Sequence, residues 1–275
     1  MSCTSAVRFG LSASDASAFD LSVTRSFSSC RPANGAQQEG QAAIFGPQWT
    51  AGTTAEISDS DWTHLRKTSA TSVAVVDVDG EETGFTATSN GGWKPESGAE
   101  DLTLTGSLTG SFTLKDTDGT TAVFNKVDST ATTWQLATTF LPTDQSTTTV
   151  ISEKTTVNSM TMARPKYVIA PTSAVSATTC AATPSTKGCR ALEYVYATST
   201  TATSSFLGDY SGQVKQVRLW ATDPGASAAM ATVVSQYAYD TQGLLREQWD
   251  PRISPALKTA YAYDSRACHH ADAAG

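Results

Sequence analysis

Apolar and polar residues alternate with a period of two in many short runs, and Gly, Asn, Asp or Pro interrupts the runs every few residues. That pattern predicts antiparallel β-strands with one half-buried face. Two runs read as hairpins: residues 72–80 followed by 81–88, and residues 111–119 followed by 120–126. Each turns on Asp-Gly, the strongest short-range hairpin signal. The two align as D-x-D-G-x-x-x-x-F, from Asp77 to Phe85 and from Asp116 to Phe124, so they form an internal repeat. Residues 133–140, 148–157 and 166–171 alternate Thr with apolar side chains and read as further strands, with Leu141 to Asp144 turning between the first two. Helix signals are scarce. The Ala-rich stretch 226–231 has the length for a turn or two of helix, but its Pro-Gly start favours a loop.

Composition agrees with this reading. Only 16% of the 275 residues are charged, and Thr, Ser, Ala and Gly fill the gap. Threonine fits a half-buried pleated surface. A disordered Ser/Thr linker would have the same bias, but aromatic residues recur along the whole chain and argue for a core. The net charge of −7 and the absence of a Lys/Arg cluster exclude a phosphate-binding footprint, so no nucleic-acid partner is expected. No apolar run reaches the ~18 residues of a membrane span. The start, Met1 to Thr4, has neither a basic nor an apolar region and is not a signal peptide.

Candidate chemistry is sparse. Of the five cysteines, Cys180 and Cys189 bracket a turn-rich loop and are the pair expected to form a disulfide in an oxidising compartment. No C-x-x-C motif occurs, and His64, His269 and His270 lie far from that pair, so zinc is not expected. The D-x-D-G segments lack the further oxygen ligands of a calcium loop and read as structural turns. Asp77, Asp79, Glu81 and Glu82 cluster as a glycosidase pair would, yet their place in a hairpin turn marks them as solvated. His64 is the one histidine outside the C-terminal tail, and no nucleophile elbow, H-E-x-x-H or P-loop accompanies it. No catalytic residue, cofactor or metal is expected. Exposed Trp93, Trp134 or tyrosines would suit stacking on sugar rings, whereas a buried role for them suits a core.

The last third carries a repeat. Tyr194 and Tyr196, Tyr237 and Tyr239, and Tyr261 and Tyr263 form three Y-x-Y strands; Asp240 follows the second and Asp264 the third. After the second come Gly243 and Leu245, then Trp249, Asp250 and Pro251; after the first, past an insertion, come Gly212, Val214, Val217, Trp220, Asp223 and Pro224. Both tyrosines of a Y-x-Y strand lie on one face. One such hairpin cannot bury that face alone, so copies must stack.

This grammar resembles the YD-repeat, or Rhs, family, whose repeat reads Y-x-Y-D-x-x-G-R-L. Tyr237, Tyr239, Asp240, Gly243 and Leu245 match it, with Leu244 where Arg is usual. Upstream, Val23 to Phe27 resembles the family's "tRtYnS" strand, and Ile44 to Thr50 its "lFGpGWt" segment. The likeness covers about residues 20–264. It implies an all-β fold of antiparallel hairpins stacked into an open, curved β-sheet spiral. It implies four segments: a poorly ordered stretch 1–20, a lead-in β-region 21–190, YD repeats 191–264 and an aberrant, disordered tail 265–275, where the reading frame looks truncated. The implied role is a non-catalytic shell segment of an exported protein, secreted or at the cell surface. Its partners would be the remainder of the shell and an encapsulated C-terminal toxin domain. The other class left open is a carbohydrate- or cell-surface-binding β-module. A last strand at 258–264 is expected to leave its outer edge unpaired.

Overall fold

The computed structural model describes residues 10–18, 21–29, 31–35, 40–52, 62–77, 81–143 and 145–263. Within these the chain is all-β and antiparallel, with one short helix. Strands β1 (Gly10–Ala18), β2 (Leu21–Ser28) and β3 (Trp49–Gly52) form a sheet of their own. The other fifteen belong to one branched sheet.

The first part of that sheet is built from local hairpins. It comprises β4 (Trp62–Lys67), β5 (Ser72–Asp77), β6 (Glu82–Ala87), β7 (Trp93–Pro95), β8 (Thr103–Gly106), β9 (Phe112–Lys115), β10 (Thr121–Asn125) and β11 (Thr133–Leu141). The two expected hairpins are β5–β6, with Val73 opposite Phe85, and β9–β10, with Phe112 opposite Phe124. The chain order β4 to β7 and β8 to β11 encloses one apolar core, including Leu65, Val75, Phe85, Phe112, Phe124 and Trp134. Trp134 is fully buried and its indole N–H donates to the Gly110 carbonyl at 2.7 Å.

The second part runs β12 (Ser146–Val157), β13 (Met160–Ile169), β14 (Ala191–Tyr196), β15 (Val214–Ala221), β16 (Met230–Tyr239), β17 (Leu245–Trp249) and β18 (Lys258–Ala260), each paired with the next. Its two faces bury different cores. One face meets β2, β3 and the connection between them, bringing Leu21, Val23, Phe45 and Trp49 against Val168, Leu192, Val217 and the tyrosines. The other face is covered by the 170–190 loop, which carries α1 (Ala177–Ala182).

Strand β11 is the branch point. Along one edge it pairs with β10. Along the other, Thr133–Gln135 pair with β4, whereas Thr138–Leu141 pair with β12. The connection between β2 and β3 lies across this fork. Gly40 accepts from the Ala163 N–H at 2.8 Å, and Gln41 bridges to Ala163 and donates to the Gln135 side chain.

Three features go beyond the sequence reading. Residues 10–18, within the stretch expected to be poorly ordered, form β1, in register with β2 from Gly10 opposite Ser28 to Ala18 opposite Leu21. Its Ser/Ala sequence has little strand propensity of its own, and the neighbouring strand imposes the conformation. The helix α1 went unforeseen: Ser176 caps it by accepting from the Thr179 N–H, a short-range signal that a six-residue element hardly advertises. Across residues 190 and 191 the sheet is continuous, since β13 pairs with β14 and one core joins residues from both sides. The 226–231 stretch is a turn leading into β16, as its Pro-Gly start indicated. Residues 1–9, Cys3, Cys30, Asp79, Gly80, Asp144, Asp264 and the tail with Cys268, His269 and His270 lie outside the described residues.

Candidate functional site

The tyrosine face is where the chain concentrates its unusual chemistry. Period-two alternation puts Tyr194, Tyr196, Tyr237, Tyr239 and Tyr261 in or against one core cluster. Tyr194, Tyr237 and Tyr239 are buried. Three hydroxyls of this face, those of Tyr239, Tyr196 and Tyr263, are tied to backbone. The Tyr239 hydroxyl donates to the Val214 carbonyl at 2.7 Å, Tyr196 donates to the Pro165 carbonyl, and Tyr263 donates to the Leu245 carbonyl at 2.8 Å. Tyr263 in turn accepts from the Trp49 indole at 2.9 Å. Burial raises the Tyr196 and Tyr263 hydroxyls above the ordinary tyrosine range, so they act as neutral donors.

Arg25 sits at the centre. It is fully buried, on the same face of β2 as Val23 and Phe27. Its guanidinium carbon lies 4.4 Å from the Trp49 ring centre, 4.9 Å from Tyr261, 5.7 Å from Phe45 and 5.9 Å from Tyr237. One of its nitrogens donates to the Tyr261 hydroxyl at 2.7 Å, across 236 residues of sequence. Rings from both sheets therefore surround one cation, which a desolvated cation–π geometry favours. Phe27 packs on Trp49 at 5.3 Å and on Tyr263 at 5.5 Å, so the same strand also seats the last tyrosine. Sequence reasoning placed Arg25 in a motif but missed its cage. The available signal was an arginine spaced two residues from Val23 and from Phe27 on an apolar face.

The aspartates of the repeats share one turn. Asp240, Asp116 and Asp77 each accept the N–H of the residue four positions on, at 3.0, 2.9 and 2.8 Å. In each, the aspartate N–H also donates to that residue's carbonyl at 3.1 Å. Gly243 and Gly119, three positions after Asp240 and Asp116, have φ of 76° and 92°. The three turns thus share one side-chain cap, and at Asp116 and Asp240 the turn is closed by a left-handed glycine. For Asp240, burial pushes the carboxyl up, but hydrogen bonds from Arg246, Leu244 and Gln242 outweigh it and hold it below its ordinary value. Arg246 reaches it at 2.7 Å.

The remaining candidates have structural surroundings. Cys180 and Cys189 are joined as a disulfide with Cα atoms 5.3 Å apart, both buried beneath the α1 loop. Glu82 pairs with Arg66 on the surface, and Asp77 caps its own turn. Trp93 is half-buried, packs on Phe112 and donates to the Gly106 carbonyl, and Trp134 is in the core. An open groove of about 530 Å³ crosses β5–β7, with Glu82, Lys94 and Glu96 on its wall and only the buried Phe85 as an aromatic. Among the described residues no three His, Cys, Asp or Glu side chains converge as a metal site, and no helix is long and apolar enough to cross a membrane. Compared with models of known protein families and with curated proteins, the chain matches none.

Proposed function

We propose that this chain is a non-catalytic structural β-segment of an exported YD-repeat (Rhs-type) protein. In this reading its hairpins are part of a β-sheet spiral that encapsulates or delivers a C-terminal toxin domain, secreted or at the cell surface. The observation that carries the reading is how the Y-x-Y strands are used. Two Y-x-Y segments lie on β14 and β16, and the third follows β18, which ends at Ala260 rather than running to 264; the hydroxyls of Tyr196, Tyr239, Tyr261 and Tyr263 bond backbone or core partners rather than facing an open cleft. A glycan-binding module needs exposed rings; of the tryptophans singled out for that role, Trp134 is in the core and Trp93 is half-buried against it.

The reading also fits the sheet edge. β18 is the last strand in the sheet order and is exposed throughout. Tyr261 donates to the Arg246 carbonyl, so by antiparallel alternation Lys258 and Ala260 point their backbone groups away from β17. Lys258, the one charge on this strand, is bound to Glu247 and lies over Trp249. It therefore does little to deter pairing. The test is to insert one more unit, built like residues 236–249, after Tyr263 and follow amide hydrogen exchange. Slower exchange at Lys258 and Ala260 is expected. Unchanged exchange there, together with saturable binding of a soluble oligosaccharide, would replace the shell segment with the glycan-binding module.

A further inference from the structure

His64 lies on β4 with no exposed surface. The Thr63 hydroxyl donates to the Val76 carbonyl at 3.1 Å, which leaves its oxygen to accept from His64 Nδ1–H at 2.9 Å. On this network we assign the ring the Nδ1–H tautomer. Its Nε2 lone pair is buried, and no donor among the described residues reaches it. A proton added there would have no acceptor, and its charge would be deeply desolvated.

The surroundings reinforce this. Val76 of β5 and Gln135 of β11 are the cross-strand neighbours of His64, and both are uncharged. Arg31, from the connection between β2 and β3, and Arg66, on β4 itself, are the charges that bear on the ring, and both oppose a second cation. Glu82 is engaged with Arg66 at the surface, and the Asp77 carboxylate caps its own turn. Burial first, then Arg31 and Arg66, lower the imidazole from 6.5 to about 3.

The position matters as much as the chemistry. Gln135, directly opposite His64, is held by Gln41 of the same connection. One residue earlier, Gly40 is so close to β11 that a Cβ would lie 2.4 Å from the Thr133 hydroxyl. His64 therefore stands where the β4–β11 unit, the fork and the connection meet. We propose that His64 is an acid-sensitive latch, whose protonation opens the seam between β4, β11 and residues 40–42 while the tyrosine core stays closed. The inference is independent of the functional reading above.

The sign follows from proton counting. Between pH 6.5 and about 3 the open state binds a proton that the closed state does not, so acid favours opening. One proton of difference is worth up to about tenfold in the equilibrium per pH unit, or about 25-fold from pH 7 to 5. The experiment is amide hydrogen exchange on the full chain at pH 7 and pH 5, corrected for intrinsic rates. Opening of residues 40–42 and 62–67 should increase by about that factor, with β14 and β15 unchanged, and His64→Phe should abolish the increase. Equal acceleration in all strands, or an increase that persists in His64→Phe, would overturn the latch. Should that variant fail to fold, ring-nitrogen NMR of the unmodified protein decides. A ring still neutral and Nδ1-protonated at pH 5 in the closed state supports the proposal, and one that titrates near 6.5 without opening refutes it.

Discussion

The β4–β11 unit and the tyrosine sandwich are both antiparallel, yet they are held together differently. In the first, aliphatic and phenylalanine side chains from residues 65 to 136 meet mostly through adjacent hairpins, and the polar atoms of its core are few. In the second, residues from 21 to 245, with Tyr261 packed against them, share one core, and a buried cation and tied hydroxyls sit inside it. Local contacts close cheaply in chain entropy, whereas contacts separated by more than 200 residues require the intervening chain to be ordered first. The β4–β11 unit should therefore form early and tolerate volume-conserving exchange, and the sandwich should form late and depend on a few exact partners.

The largest effect is expected at Arg25. Arg25→Ala empties a fully enclosed site and strips the Tyr261 hydroxyl of its donor. A loss of about 3–5 kcal/mol, from the cavity left together with the lost cation–π and hydrogen-bond contacts, is expected in urea unfolding. Arg25→Lys should recover little of it, since an ammonium cannot spread over several rings as a guanidinium does. Recovery to wild-type stability by lysine would show that charge alone, not the cage, matters.

Trp134→Ala should cost about 3–4 kcal/mol by cavity formation, but in the other region. Its exchange signature distinguishes the two cores: amides of 62–141 should lose protection while β15 and β16 keep theirs. Simultaneous loss in both would mean that the fork couples the cores into one cooperative unit.

A smaller effect, roughly 2–3 kcal/mol, is expected on replacing both Cys180 and Cys189 with alanine, from the entropy of a nine-residue separation. It should loosen the α1 loop on the outer face and leave the tyrosine face intact. Thermal unfolding with and without reductant measures it, and no difference between the two would argue against the disulfide.

The smallest concerns the shared turn. Gly243→Ala forces a side chain into φ of 76° and brings a Cβ to 3.0 Å from Gln213 and Tyr210, whereas Gly119→Ala at φ of 92° meets Pro142 only at 3.4 Å. Losses of about 2 and 1 kcal/mol follow from backbone strain plus the closer contact. Equal losses would leave the backbone alone responsible.

How much of this was legible in the sequence follows the same divide. The Asp-Gly hairpins β5–β6 and β9–β10, and the one-sided Y-x-Y strands, depend on neighbouring residues and were readable. The turn of Asn158 and Ser159 between β12 and β13, both at positive φ, lacks the glycine that would have marked it. The fork at β11 was unreadable because alternation reports which side chains share a face but not which strand adjoins which half of an edge. Arg25 shows the limit most plainly: its apolar face was visible in Val23 and Phe27, whereas Trp49 and Tyr261 became its partners only through the fold.

Residue-resolved chemical labelling of tyrosines in the native chain tests the central claim that the Y-x-Y strands are internal scaffold. The account predicts that Tyr194, Tyr237 and Tyr239 stay unlabelled until urea unfolds the chain, and that Arg25→Ala exposes Tyr237 and Tyr261 first. Ready labelling of Tyr194, Tyr237 and Tyr239 in the folded protein, suppressed by a soluble oligosaccharide, would contradict it.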